Sequence, residues 1–282
     1  MATRSRDKSS EIHKFRLSDA EMGLLFHAIN HAVADETHLM KRITVVREGE
    51  TLTERLAIAT QTGWFRPMLN DLLRQGVSIV INDIQITESV ADAIGRHVDV
   101  PPAWVTQQNL YVTPGKSQGF APHCDPHIVV VAHLYGRKEW VIYDKALVNP
   151  VYDADTNTVA DKSEPLGVRC RIVVEPGDCF VIPRGQYHSA IALSPAAVHM
   201  AVGTAGARAV DYVWTMADQA IQDPAMRADM TPEDALGKAR EFMARFAFEP
   251  VGLPRFPRAE GPAGEGASSF SFKDVLDALP GG

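Results

Sequence analysis

The chain has 282 residues, 45% of them hydrophobic and 22% charged, a composition that supports a packed core and excludes disordered, fibrous and low-complexity classes. Lys plus Arg number 28 against 35 Asp plus Glu, a formal net charge of −7, and a surface field of that sign repels nucleic-acid phosphates and anionic lipid. No nucleic-acid partner is expected, and no membrane partner either, because no apolar run approaches the roughly 18 residues of a membrane span.

Residues 1–17 contain Arg4, Arg6, Lys8, Lys14 and Arg16 and read as a mobile basic arm. Ser18-Asp19-Ala20-Glu21 has the spacing of a capping box and predicts a helix to about Val33. A second helix is expected from Pro67, with Met68, Leu69, Leu72 and Leu73 on one face and Gly76 as its stop. Val77 to Ile81 reads as a buried strand, and Thr87 caps a short helix carrying Val90, Ile94 and Val98. From about residue 104 to 203, the runs NLYVTP, HIVVVAHLYG, KEWVIYD, CRIVVEPGD, CFVIPRG and AVHMAVG are separated by Pro and Gly. That pattern predicts a jelly roll or barrel.

Helical character returns from Ala207 to Ile221, and Thr231-Pro232-Glu233-Asp234 opens a further helix with Leu236, Ala239, Met243 and Phe246 at helical spacing. This apolar stripe predicts either a homodimer or packing of the helix on its own barrel. The expected organisation is a mobile arm over 1–17, a jelly-roll domain with N-terminal helices over 18–205, a helical segment over 206–250 and a Pro/Gly-rich tail over 251–282. Cys124, Cys170 and Cys179 are odd in number and lack CxxC spacing, so they read as free thiols of a reducing compartment. The start MATRSRDKSS has no apolar signal core; the expected location is cytoplasmic.

The chemistry concentrates in Gly119-Phe120-Ala121-Pro122-His123-Cys124-Asp125. On a strand, His123 and Asp125 would aim imidazole and carboxylate at one point while Cys124 faces away. Phe180 to Ile182 then brings a strand end, and a loop beyond it, to His188. Two histidines and a carboxylate on one face of a metal form the facial triad of non-haem Fe(II) oxygenases and leave positions open for cosubstrate and O₂; a structural zinc would take four closed ligands. Asp125 also fills the coordination position that a halide would need in a halogenase. Lys138, Trp140 and Ile142 share an apolar strand face, so Lys138 points inward, where a buried ammonium calls for an anion such as 2-oxoglutarate. The opposite orientation, or a protein carboxylate as partner, is the competing reading.

The run NLYVTPGKSQGFAPHCDPHIVVVAHLYGRKEWVIYD, followed by VEPGDCFVIPRGQYHSA and AVHMAVG, resembles the JmjC-related cupin family of Fe(II)/2-oxoglutarate oxygenases, in particular its ribosomal-oxygenase branch. The resemblance implies a mainly β fold with flanking helices: a double-stranded β-helix of cupin/JmjC type plus a C-terminal helical segment. It implies iron ligation by His123, Asp125 and His188, and it puts Lys138, fifteen residues after His123, on the far carboxylate of 2-oxoglutarate. Asn109, Tyr111 and His199 are implied in the cosubstrate pocket. The chain departs from the family in carrying Ala197 and Ala201 where hydroxyl residues usually flank that histidine, and in having no expected winged-helix domain.

The implied function is hydroxylation of an amino-acid side chain in a peptide or protein, with Asn109, Tyr111 and Gln118 as candidate substrate contacts. Demethylation begins with the same hydroxylation and stays open. The alternatives are an oxygenase of a free small molecule, or a non-oxygenase metal-binding cupin module, which would have no use for an inward Lys138. His27 and His31 on the first helix lack the Glu of an HExxH site and read as surface residues; His127 and His133 read as pocket or strand residues.

Overall fold

The computed structural model describes residues 11–34, 39, 42–47, 50–52, 65–84, 88–98, 105–151, 166–245 and 272. Eleven strands are seen among them: β1 (Lys14–Arg16), β2 (Ile43–Arg47), β3 (Glu50–Thr51), β4 (Ser78–Ile81), β5 (Val105–Pro114), β6 (Ile128–Tyr135), β7 (Lys138–Ala146), β8 (Val168–Val174), β9 (Asp178–Ile182), β10 (Gln186–Ala192) and β11 (Ala196–Thr204). Pairing is antiparallel throughout, in an eight-stranded sheet of order β1-β9-β6-β11-β5-β4-β2-β3 and a three-stranded sheet of order β10-β7-β8. Sequential strands alternate between the two sheets as β7 and β8, then β9, then β10, then β11, which is the winding of a double-stranded β-helix.

The uninterrupted apolar run of β6 follows from burial on both faces. Val129 and Val131 turn inward, where they meet Phe180 and Ile182 of the large sheet and Trp140, Ile142 and Val174 of the small one. Val130, Ala132 and Leu134, one residue out of phase, pack with the helices on the other face. Those helices are α1 (Asp19–Ala34), α2 (Phe65–Arg74) and α3 (Glu88–Val98), which bury Leu25, Ile29, Leu69 and Ile94 there. The capping box starts α1: Ser18 N–H donates to Glu21 Oε2 at 2.8 Å and Glu21 N–H to Ser18 Oγ at 3.3 Å. Gly76, at φ 73°, ends α2 and turns the chain into β4. Thr87 lies outside the described residues.

The mobile arm expected over 1–17 is corrected at its end. Lys14–Arg16 forms β1 on the edge of β9, because Asp178 on β9 draws both cations to it. Lys14 Nζ and Arg16 Nη1 each lie 2.6 Å from an Asp178 oxygen, and Asp178 also accepts from Glu175 N–H at 3.0 Å. Burial pushes the Asp178 carboxyl up, but the Lys14 hydrogen bond, the Glu175 amide and the two cations outweigh this and hold it below its ordinary value. A depressed folded-state pKa contributes stability that is present above the unfolded carboxyl range and lost as pH falls through the folded value. Asp178→Asn should therefore lower stability at neutral pH by about 1 kcal/mol, modest because both cations are half exposed, and flatten the acid limb of a Tm-against-pH profile.

The predicted tail is also corrected at one position. Phe272 is fully buried in the helix-side core and its N–H donates to Asn30 Oδ1 at 2.8 Å; Val275 and Leu276 lie outside the described residues. Gly206–Arg255 forms a separate unit with α4 (Ala209–Gln222), a 3-10 turn at Pro224–Met226 and α5 (Pro232–Arg245). Asp211 accepts from Arg208 N–H at 2.7 Å to start α4, and Asp234 N–H donates to Thr231 Oγ1 at 3.2 Å to start α5. Leu236 and Met243 are about half exposed, while Phe246 lies outside the described residues.

Candidate active site

His123 and Asp125 do not sit on a strand, as expected from their spacing, but in the loop between β5 and β6. The loop is held extended at one point. His123 and His188 form an isolated antiparallel bridge, with His123 N–H donating to His188 O at 3.0 Å and His188 N–H to His123 O at 2.8 Å. His188 belongs to β10 rather than to a loop, a second correction. One backbone bridge thus brings together two side chains 65 residues apart in sequence.

The side chains of His123, Asp125 and His188 each offer one ligand atom, all within 4.8 Å of one another. His123 Nδ1 donates to Ala121 O at 2.7 Å and His188 Nδ1 to Gln186 O at 3.0 Å. Each bond fixes a tautomer and leaves Nε2 with its lone pair for a metal. Burial pushes the His188 imidazole down to about 4, so at neutral pH it is the uncharged ligand a metal requires. Two imidazole nitrogens and one carboxylate are the donor set of a facial triad for Fe(II), and the residues fit that ion.

Gly185 supports Asp125 from behind. Its N–H donates to Asp125 O at 2.9 Å and its carbonyl accepts from Leu147 N–H at 2.9 Å. It has φ 78°, and a Cβ there would collide with Leu147 O. Gly185→Ala should displace Asp125 and weaken metal binding by about tenfold or more, measured by titrating Mn(II) into the purified variant.

The triad opens on a cavity of about 180 Å³ that also takes in Asn109, Tyr111, Thr113, Lys138 and His199. Lys138 points inward and is buried, donating from Nζ to Thr113 Oγ1 at 2.9 Å and to His199 Nδ1 at 3.3 Å. Among the described residues no carboxylate pairs with it, and burial pushes the ammonium down to about 7. His199 is held well below its ordinary value by burial and by Lys138; its neutral Nδ1 accepts from the ammonium. The wall is continuous and aromatic: Tyr111 stacks on His199 with centroids 4.7 Å apart, His199 meets Trp140 at 5.0 Å, and Trp140 meets His188 at 5.8 Å. His188 lies 4.4 Å from His123, His123 5.7 Å from Phe120, and Phe120 6.1 Å from Tyr111, which closes the ring.

Strand register explains the alanines. Asn109, Tyr111 and Thr113 on β5 stand opposite Ala201, His199 and Ala197 on β11, so the hydroxyl that meets Lys138 comes from β5 and the small residues of β11 leave space beside it. Asn109 commits its amide oxygen to Asp83 N–H at 3.2 Å and can offer a ligand its amide nitrogen. Gln118 does not line the cavity: it is exposed and its amide donates to Phe120 O at 3.0 Å. Thr113 was the residue missed in sequence, although its parity with Asn109 and Tyr111 places it on their face. His127 lines the cavity, His27 and His31 are exposed on α1, and Cys124 is buried against Tyr187, away from the ligands.

The strands wind as a double-stranded β-helix, a jelly-roll fold, and two histidines and a carboxylate converge in its cavity. Residues 80–212 match the family model described as JmjC domain. Over 94 residues the chain is 38% identical to the bifunctional lysine-specific demethylase and histidyl-hydroxylase NO66 of Dictyostelium discoideum, covering 32% of this chain and 17% of that protein. Over 100 residues it is 36% identical to ribosomal oxygenase 1 of Gallus gallus, covering 34% of this chain and 16% of that one. The chain thus spans about a sixth of the length of these relatives. Among solved structures, YcfD, a ribosomal oxygenase from Escherichia coli in complex with cobalt and 2-oxoglutarate, aligns at 17% identity and TM-score 0.47 over 85% of this chain and 64% of that one.

Proposed function

We propose that this chain is an Fe(II)- and 2-oxoglutarate-dependent oxygenase that hydroxylates an amino-acid side chain in a peptide or protein. The observation that carries the reading is Lys138: a buried ammonium that no carboxylate pairs with among the described residues, in the same cavity as a facial triad. A protein retains such a cation where a ligand supplies the anion. In this reading His123, Asp125 and His188 hold the metal, while Lys138, with Thr113 and His199 beside it, binds the far carboxylate of 2-oxoglutarate.

The bound metal supplies oxygenation of a C–H bond by O₂, with 2-oxoglutarate converted to succinate and CO₂. The chain's own part is positioning. Tyr111, Phe120 and Trp140 exclude water from the cavity, and Asn109 offers hydrogen bonds to the substrate beside the metal. The relatives' names, histidyl-hydroxylase and ribosomal oxygenase, support a protein substrate. Incubation with Fe(II), 2-oxoglutarate and cell-derived peptides should give a peptide heavier by one oxygen atom and an equal amount of succinate. Oxygen gained by a free metabolite instead would transfer the assignment to a small-molecule oxygenase.

Two further parts of the reading concern setting. The balance of free thiols supports a reducing, cytoplasmic location. The exposed Leu236 and Met243 of α5 support a homodimer through this helix, which sedimentation at micromolar concentration tests; a monomer contradicts it.

A further inference from the structure

We infer that His133 is a positioning residue for cosubstrate capture, whose buried imidazole fixes the turn from β6 to β7 and so sets where Lys138 presents its ammonium. The inference rests on the cosubstrate role proposed for Lys138. His133 is fully buried on β6, with the parity of the inward Val129 and Val131, yet it does not line the cavity and touches no metal ligand in strand register. Burial pushes it down to about 4, so the ring is neutral. Its Nε2–H donates to Gly136 O at 2.9 Å, leaving Nδ1 buried without a hydrogen-bond partner among the described residues. An unsatisfied buried acceptor is costly, and an apolar side chain would avoid that cost. What the imidazole adds is its donor to Gly136.

Gly136 lies two residues before Lys138. At φ 69° it has no room for a Cβ, which would collide with Ala196 O, so the turn that His133 grips lies directly against the start of β11. The outer side of the same turn is held by the connection between β10 and β11: Ser194 Oγ accepts from Arg137 N–H at 2.8 Å, and Leu193 N–H donates to Arg137 O at 2.9 Å. His133 is also the cross-strand partner of His199, the residue whose Nδ1 accepts from Lys138 Nζ. One buried ring therefore braces the backbone leading into Lys138, from a strand that is paired in register with the one carrying His199.

The test is titration calorimetry of 2-oxoglutarate into the Mn(II)-loaded protein, for wild type, His133→Leu, His133→Gln and Ser194→Ala. Leu removes the donor at similar volume, whereas the Gln amide can reach the same carbonyl. His133→Leu should bind 2-oxoglutarate about tenfold more weakly, the size of loss typical when an orienting partner is removed. Its Mn(II) affinity should be unchanged, and its KM for 2-oxoglutarate should rise with kcat retained at saturation. His133→Gln should restore most of the affinity. A purely structural role would lower Tm and leave the 2-oxoglutarate affinity of the folded protein at the wild-type value, and that result overturns the inference. If His133→Leu does not fold, Ser194→Ala decides: weaker 2-oxoglutarate binding supports the braced turn and wild-type binding overturns it. Failure of the wild-type protein itself to bind 2-oxoglutarate overturns the cosubstrate reading, and the inference with it.

Discussion

Replacing Asp125 with Ala should abolish succinate formation and remove most of the affinity for Fe(II), while the protein stays folded. Asp125 is the one anionic donor of the triad, and two neutral imidazoles alone hold a divalent ion weakly. The fold does not depend on the carboxylate: its side chain is not part of either sheet's core, and the backbone bond from Gly185 N–H to Asp125 O survives the change. The bridge between His123 and His188 likewise uses backbone atoms. Near-wild-type Tm with no turnover and no stoichiometric metal is the expected pair of measurements. Full activity in the variant would mean that the metal sits elsewhere.

Replacing Lys138 with Ala should weaken 2-oxoglutarate binding far more than metal binding. Losing one partner of a buried charge pair costs about 3–5 kcal/mol, or roughly a hundredfold to a few thousandfold in affinity. The pH dependence has a definite sign. Burial lowers the Lys138 ammonium to about 7, and an anionic ligand binds the protonated form. The apparent dissociation constant for 2-oxoglutarate should then be lowest below about pH 7 and rise with pH above it in the wild type, a dependence that Lys138→Ala should lose. Calorimetry across pH checks both effects, and equal affinity in wild type and variant would remove Lys138 from the cosubstrate site.

How far the sequence revealed this arrangement depends on whether the controlling interaction was local. Strand parity was enough to turn Lys138, Trp140 and Ile142 inward and to group Asn109 with Tyr111, because period two is a property of the strand itself. The capping box at Ser18 and the N-cap at Thr231 are likewise complete within four residues. The strand parity that singles out the HxD pair is not what gathers it: its convergence with His188 comes from a backbone bridge to a distant strand, which no local pattern encodes. The edge strand Lys14–Arg16 was hidden because its cause is Asp178, more than 160 residues away. Phe272 was hidden for the same reason, its partner Asn30 lying 242 residues distant. Thr113 could have been read from parity with Asn109 and Tyr111, whereas its contact with Lys138 depends on the closure of the two sheets.

In the proposed function one Fe(II), held by His123, Asp125 and His188, receives 2-oxoglutarate through the same cavity that presents Lys138. Anaerobic titration of Fe(II) and then 2-oxoglutarate into the protein, followed by visible absorption, tests it most directly. One Fe(II) per chain is expected, with a metal-to-ligand charge-transfer band that develops only when 2-oxoglutarate is added and is lost on admission of O₂ with formation of succinate. Stoichiometric Fe(II) with no band at any 2-oxoglutarate concentration would contradict it.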